Sequence, residues 1–89
     1  MDDYKLVVSL LERIRTAFAM FIPETEKEFS VLIQKFQNPE TVTNKDRETA
    51  LNIFREGRAF MQHAPDDIRD ELLLYFGLCI ARMEIELKG

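Results

Sequence analysis

The chain has 89 residues, of which 46% are hydrophobic and 31% are charged, and its formal net charge is −4. Because domains typically hold about 100 to 150 residues, we expect one domain over residues 1–89, and the composition is that of a globular chain and not a disordered one. Three glycines and three prolines leave few turns for an all-β fold. The acidic balance disfavours nucleic-acid binding, since such proteins neutralise phosphates with lysine and arginine.

Two features bear on the location of the protein in the cell. The single cysteine, Cys79, has no second cysteine with which to form a disulfide, so an oxidising compartment is not required. The first residues, MDDYK, lack the basic region and the unbroken apolar region of a secretory signal. We therefore expect the protein in the cytoplasm.

The first predicted helix spans Asp3 to Ile22. Its apolar residues recur at alternating steps of three and four, which is the period of an amphipathic helix. Pro23 ends or kinks this helix, because proline lacks an N–H group and its ring collides with the preceding turn. The predicted buried face consists of Val7, Leu10, Leu11, Ile14, Ala17, Phe18 and Phe21.

A second helix is predicted after Pro23, where Thr25 and Glu28 have the spacing of a capping box. It ends before Gln37 to Asn44, QNPETVTN, which holds a proline and shows no apolar periodicity. This stretch is expected to be the longest loop. The predicted buried face of the second helix consists of Phe29, Leu32, Ile33 and Phe36.

The third predicted helix begins with Thr43 or Asn44 as its N-cap, and Asp46 and Glu48 lie where the helix dipole favours acids. Gly57 lowers helix propensity by about 1 kcal/mol relative to alanine, so its place on the apolar face indicates the close approach of another helix. That face consists of Ala50, Ile53, Phe54, Gly57, Phe60, Met61 and Ala64.

The fourth predicted helix contains ten residues without a charge, LLLYFGLCIA from Leu72 to Ala81. A helix that is apolar on all sides is normally buried on all sides, so we expect the rest of the chain or a partner subunit to surround it. The run has about half of the ~20 apolar residues that cross a bilayer, so no membrane span is predicted. One side of this helix consists of Ile68, Leu72, Tyr75, Phe76, Cys79 and Met83, and another of Leu74, Leu78, Ala81 and Ile85.

The residues at the two ends of the fourth helix indicate where it begins and ends. Pro65 is expected at its first helical position, and the acids that follow suit the positive end of a helix dipole. The final residues, RMEIELKG, alternate charged and apolar as a strand does, but we expect them to continue the helix.

These elements predict an all-α fold. Short links between the first two and the last two helices favour a compact four-helix bundle-like array of antiparallel helical hairpins, with the C-terminal helix central. The sequence contains no internal repeat and no low-complexity tract.

No cofactor and no metal are predicted. A structural metal site takes about four ligands at short spacings, mostly cysteine and histidine, and this chain has one of each, Cys79 and His63. The apolar sequence around Cys79 raises the pKa of a thiol and favours a buried core residue over a nucleophile.

His63 has a second interpretation, because histidine phosphotransfer modules are also four-helix bundles. The small-residue and lysine pattern that follows the histidine in such modules is absent here, and His63 lies two residues before Pro65. We therefore expect it to interact with the terminal carbonyls of a helix.

Two acidic clusters have the composition of calcium or general-acid sites. Neither has the glycine that bends a calcium loop, so both are interpreted as the acids of helix starts, which are also able to steer a basic partner. The clusters are Glu24, Glu26 and Glu28, and Asp66, Asp67, Asp70 and Glu71.

The leading functional hypothesis is a non-enzymatic protein–protein interaction module, a small adaptor, inhibitor or immunity-type factor. It binds another protein, of unknown identity, through an apolar patch rimmed by acids. The candidate patch consists of apolar residues outside the main stripes, Leu6, Met20, Ile22, Val31 and Leu51, with Asp66, Asp67, Asp70 and Glu71 as the rim.

Two alternatives remain. A homodimer would complete the burial of the fourth helix by repeating one patch on both subunits. A small-ligand carrier or minor enzyme would use a cavity between helices near Met61, Tyr75 and Cys79.

Overall fold

A computed structural model of the chain describes residues 4–19, 24 and 26–89. These residues contain no strand and a short 3₁₀ turn at Pro39–Thr41, within the predicted loop. The all-α fold class is therefore confirmed. The α-helices of the described residues are α1 (Lys5–Ala19), α2 (Glu26–Gln37), α3 (Asn44–Met61) and α4 (Asp66–Lys88).

The chain divides into two compact units, residues 1–43 and residues 44–89, and each contains one helical hairpin. In the first unit α1 packs on α2. The ring of Tyr4, just before α1, meets the ring of Phe36 near the end of α2 edge-on, with centroids 4.9 Å apart. Further along, Arg15 donates a hydrogen bond to the hydroxyl of Ser30 at 3.4 Å. The start of one helix thus lies beside the end of the other, as in the predicted antiparallel hairpin.

The core of the first unit follows the predicted faces of both helices. Ala17 is the exception among the described residues, because its side chain is exposed near the end of α1. Phe21, Pro23, Thr25 and the side chain of Phe18 lie outside the described residues. The buried residues are Tyr4, Val7, Leu10, Leu11 and Ile14 before α2, and Phe29, Leu32, Ile33 and Phe36 on α2.

In the second unit α3 packs on α4 around two aromatic rings. Phe54 and Phe76 meet edge-on with centroids 6.4 Å apart, and both are buried. Phe60 was predicted on the same buried face, but its side chain is 73% exposed, so that prediction is wrong. Residues are ~100° apart around a helix, so Phe60 lies about 120° from Phe54, on the side of α3 away from the core. The buried residues of this unit are Ala50, Leu51, Phe54, Gly57, Phe76, Cys79, Ile80 and Met83.

Ion pairs set the register of the second hairpin. Arg47, near the start of α3, contacts Glu86, near the end of α4, at 3.0 Å, and Arg82 contacts the other oxygen of Glu86 at 3.0 Å. Arg55 contacts Glu84 at 2.7 Å. The Arg55–Glu84 pair is nearly half exposed and contributes about 0 to 1 kcal/mol, whereas the side chains that meet at Glu86 are more buried. The two pairs that join α3 to α4, Arg47–Glu86 and Arg55–Glu84, favour the antiparallel register. They also explain the alternation of charged and apolar residues in RMEIELKG, which is helical as predicted.

Pro65 lies one position earlier than predicted. It precedes α4 as the N-cap residue, with φ −58° and ψ 147°, and α4 begins at Asp66. Because its ψ angle is extended, Pro65 is not itself helical, while its carbonyl oxygen accepts hydrogen bonds from the backbone N–H groups of Ile68 at 3.2 Å and Arg69 at 2.9 Å. Proline therefore starts the helix through its carbonyl group and not as its first helical residue.

The contrast between two phenylalanines of α3 tests the core of the second unit. We expect Phe54→Ala to lower the free energy of unfolding by about 3 to 5 kcal/mol, because it leaves a cavity opposite Phe76. Phe60→Ala, on the same helix, is expected to change it by no more than about 0.5 kcal/mol. Urea unfolding followed by circular dichroism measures both values, and equal losses in the two variants would contradict the assignment of the core.

The prediction that residues 1–89 form a single domain is tested by the two tyrosines, since Tyr4 lies in the first unit and Tyr75 in the second. In the Tyr75→Phe variant the tyrosine fluorescence reports on the first unit, and in the Tyr4→Phe variant it reports on the second. A single domain gives, within each variant, the same urea midpoint by fluorescence and by circular dichroism, because unfolding is then cooperative. Separate midpoints would show that the two units unfold independently.

Candidate functional site

A line of exposed apolar side chains runs along α4. Leu74, Leu78 and Ile85 are 61%, 51% and 69% exposed, and Ala81 between them is exposed as well. The line continues to a charged residue at each end. We call it the outer stripe, and it consists of Glu71, Leu74, Leu78, Ala81, Ile85 and Lys88.

The outer stripe lies on the side of α4 opposite its core. Successive steps of three and four residues keep its members on one face, and the ~100° turn per residue places that face roughly opposite Phe76, Cys79 and Met83. Gly77 lies beside the stripe, and a Cβ atom built there would meet nothing within 4 Å. Within the single chain this side of α4 is therefore uncovered, and the expectation that a partner subunit encloses it stays a prediction.

The ends of the outer stripe carry opposite charges. Glu71 accepts a hydrogen bond from the hydroxyl of Tyr75 at 2.8 Å, one turn further along the helix, which holds its carboxylate against the helix surface. Lys88 lies at the other end, in the last turn of α4. The apolar middle of the stripe is thus bounded by an acid towards the N-terminus and a base towards the C-terminus.

The predicted acidic rim lies at the start of α4, next to the outer stripe. Asp66 and Asp70 flank Arg69, with contacts of 2.6 Å and 3.7 Å to its guanidinium group. Asp67 is exposed and in line with Glu71, one turn before it. All four acids of the predicted rim are exposed, and they make this end of the helix strongly acidic.

The apolar residues that the sequence proposed for the patch all lie outside α4. Val31 is 52% exposed and Leu6 is half-buried, and both belong to the first unit. Leu51 is 7% exposed, so its assignment to an exposed patch is wrong, because it lies about 60° from Phe54 and shares the buried face of α3. Met20 and Ile22 lie outside the described residues.

Sequence reasoning missed the outer stripe, although its members were grouped on one side of the fourth helix. Because α4 is apolar around most of its circumference, the pattern does not say which side faces α3. The sequence did contain one indication of this side. The steps of three and four residues that join Leu74 to Ile85 continue to a charged residue at each end, Glu71 and Lys88. A stripe that faces the core seldom includes charged residues, because charged side chains are rarely buried.

Cys79 is a core residue of the second unit. It is 1% exposed, and burial raises the pKa of its thiol from 9.0 to about 11, an effect that the positive charge of Arg82 opposes. The thiol is therefore protonated at neutral pH, as the apolar sequence predicts. His63 is exposed beyond the end of α3, and its backbone N–H donates to the carbonyl oxygen of Phe60 at 3.2 Å.

An open groove of about 520 Å³ lies in the first unit. Its location differs from the cavity considered near Met61, Tyr75 and Cys79, which belong to the second unit. Its lining mixes charged and aromatic side chains, and Lys5, Glu12 and Arg13 stand at solvent-facing positions of α1. The lining residues are Tyr4, Lys5, Val8, Ser9, Glu12, Arg13, Phe36 and Gln37.

Metal-binding and membrane-spanning features are both missing from the described part of the chain. It contains no group of three or more histidine, cysteine, aspartate or glutamate side chains placed to hold a metal ion. None of its helices combines the length and the apolar character needed to cross a membrane. Compared with protein families, curated proteins and solved structures, the chain matches none of them.

The raised pKa of Cys79 makes the stability depend on pH. The thiol ionises near 9.0 when exposed and near 11 when buried, so its contribution to stability is complete below pH 9.0 and is lost as the pH rises towards 11. We expect the free energy of unfolding to fall over this range more steeply in the wild type than in Cys79→Ala. Urea unfolding of both proteins at each pH measures the difference between the two profiles. Parallel pH profiles would contradict the assignment.

Proposed function

We propose that the protein is a cytoplasmic, non-enzymatic protein–protein interaction module whose outer stripe docks against an apolar helix of another protein molecule. The observation that carries this proposal is the exposure of Leu74, Leu78 and Ile85 by more than half, in line, on one face of α4. The unpaired thiol of Cys79 is compatible with a reducing compartment.

The exposure of these three side chains favours association. Complete burial of a leucine or isoleucine side chain contributes about 1.5 to 3 kcal/mol relative to leaving it in water. Single exposed apolar residues are common and need no explanation, but contiguous apolar surface rimmed by polar groups is typical of interaction sites. Covering all three side chains with an apolar surface is therefore favourable, and within the single chain no such surface covers them.

The spacing of the stripe indicates the shape of the covering surface. Alternating steps of three and four residues are those of the seam along which two helices pack side by side, each side chain entering a hole between four on the other helix. The face is one helix wide and about 26 Å long between residues 71 and 88, given the ~1.5 Å rise per residue. A helix is therefore the element that matches it.

The charges at the two ends of the stripe favour one orientation of the docked helix over the other. Asp66, Asp67, Asp70 and Glu71 at one end attract basic groups, and Lys88 at the other end attracts acidic ones. Complementary charges of this kind raise the association rate and fix the orientation more than they raise the affinity.

A pair of substitutions tests this proposal with a matched control. Leu78→Asp places a charge in the middle of the outer stripe, and Val31→Asp places the same charge at a side chain of equal exposure, 52% against 51%, in the first unit. Because burying an unpaired carboxylate is unfavourable, we expect Leu78→Asp to weaken association at least about tenfold while Val31→Asp leaves it unchanged.

The measurement is sedimentation velocity of protein labelled at its N-terminus, both purified and in a lysate of the cells that carry its gene. We expect the wild type to sediment faster than a 10.5 kDa monomer in at least one of these conditions, and Leu78→Asp to return it towards that value. Circular dichroism checks that both variants remain folded. If Leu78→Asp sediments as the wild type does in both conditions, the proposed function is wrong.

A further inference from the structure

We infer that the outer stripe binds the same stripe of a second copy of this chain, in an antiparallel arrangement about a two-fold axis. This inference rests on the proposed function, since it names the occupant of the surface assigned there. It is supported by the symmetry of the stripe and by the charges at its ends.

The positions of the stripe are symmetric about a point midway between Cys79 and Ile80 on the helix. An antiparallel two-fold arrangement centred at that point sets each member opposite another member of the stripe. Leu74 faces Ile85 of the second copy, Leu78 faces Ala81, and Glu71 faces Lys88, and each pairing occurs twice by symmetry. A self-complementary patch of this kind is what a two-fold homodimer requires.

The sizes of the paired side chains match. Leu78 is large and Ala81 is small, so at the centre of the interface each leucine lies over an alanine of the other helix, and the two axes approach closely. Gly77 has no side chain and open space at its Cβ position, so no side chain projects from the helix next to this point. The larger pair, Leu74 with Ile85, lies on both sides of the centre and fills the wider part of the seam.

The charges select the antiparallel arrangement over the parallel one. In an antiparallel pair both ends of the seam bring a glutamate and a lysine together. In a parallel pair Glu71 would face Glu71 and Lys88 would face Lys88, and like charges in close opposition are unfavourable. The hydrogen bond from Tyr75 uses one oxygen of Glu71 and leaves the second oxygen to accept from a lysine.

The other charges of the last turns of α4 already have partners within the chain. Glu84 pairs with Arg55, and Glu86 pairs with Arg47 and Arg82, so both carboxylates are directed towards α3. Glu71 and Lys88 are therefore the charges that the outer stripe itself presents to a second helix. An interface one helix wide is small beside the about 1,200 to 2,000 Å² of standard protein–protein interfaces, so we expect a weak dimer that dissociates on dilution.

Charge swaps at the ends of the stripe test the arrangement. Glu71→Lys gives a chain with a positive charge at both ends of the stripe, and Lys88→Glu gives one with a negative charge at both ends. Each single variant opposes like charges at both ends of its own dimer, and we expect its dimerisation to weaken about tenfold. The double variant Glu71→Lys/Lys88→Glu restores opposite charges and is expected to dimerise like the wild type.

An equimolar mixture of the two single variants gives the sharpest result. In an antiparallel heterodimer the all-positive stripe of one chain lies against the all-negative stripe of the other, so the contacts at both ends of the seam are attractive. We expect the mixture to dimerise more strongly than either variant alone, and the differences to shrink in high salt, which screens exposed charges. Residues 71 and 88 are exposed, so the fold of each variant is expected to be unchanged by circular dichroism.

Sedimentation equilibrium over about two orders of magnitude in concentration measures these effects as a shift of the apparent mass from 10.5 kDa towards twice that value. A wild type that stays monomeric throughout overturns the inference, as does a dimer that is as strong in each single variant as in the wild type. If the wild type is monomeric but Leu78→Asp still removes a faster-sedimenting species in lysate, the second-copy inference is wrong and the proposed function stands. If Leu78→Asp has no effect under any condition, both are wrong.

Discussion

The central constraint in the second unit is that α4 carries more apolar surface than α3 covers. Its 23 residues present apolar side chains around most of the circumference, and α3 packs on one side, where Phe76, Cys79, Ile80 and Met83 are buried. The opposite side keeps Leu74, Leu78 and Ile85 in contact with solvent. The stable core and the candidate binding surface are therefore two faces of the same helix.

The charged residues near the end of α4 serve two separate purposes. Glu84 and Glu86 pair with arginines of α3 and α4, and the two pairs between the helices, Arg47–Glu86 and Arg55–Glu84, favour the antiparallel register of the hairpin. Lys88, only two residues beyond Glu86, is rotated by about 200° around the helix and lies at the end of the outer stripe. Helical geometry thus separates residues that are neighbours in sequence, so that Glu86 pairs within the hairpin and Lys88 faces solvent.

The position of Cys79 follows from the same two-faced helix. Its side chain points into the hairpin core on the face opposite the stripe, so burial raises the pKa of the thiol and the group is a small core residue and not a reagent. The thiol is therefore not placed to act as a nucleophile, and the exposed apolar surface on the opposite side of this helix is formed by Leu74, Leu78 and Ile85. Covering these apolar side chains with another apolar surface is favourable, because it removes them from water.

The amino-acid sequence by itself determined the helices, their approximate ends and the buried face of α2, because Phe29, Leu32, Ile33 and Phe36 repeat at the helical period next to polar neighbours. It did not determine which side of α3 or α4 faces the core. Phe60 and Leu51 were assigned to the wrong sides, since on α3 apolar residues extend beyond one face and periodicity alone does not rank them. On α4 the pattern is apolar nearly all round, so only the packing against α3 decided that Phe76 is buried and Leu78 is exposed. A side chain's burial depends on what lies beside the helix, and that is a property of the tertiary structure.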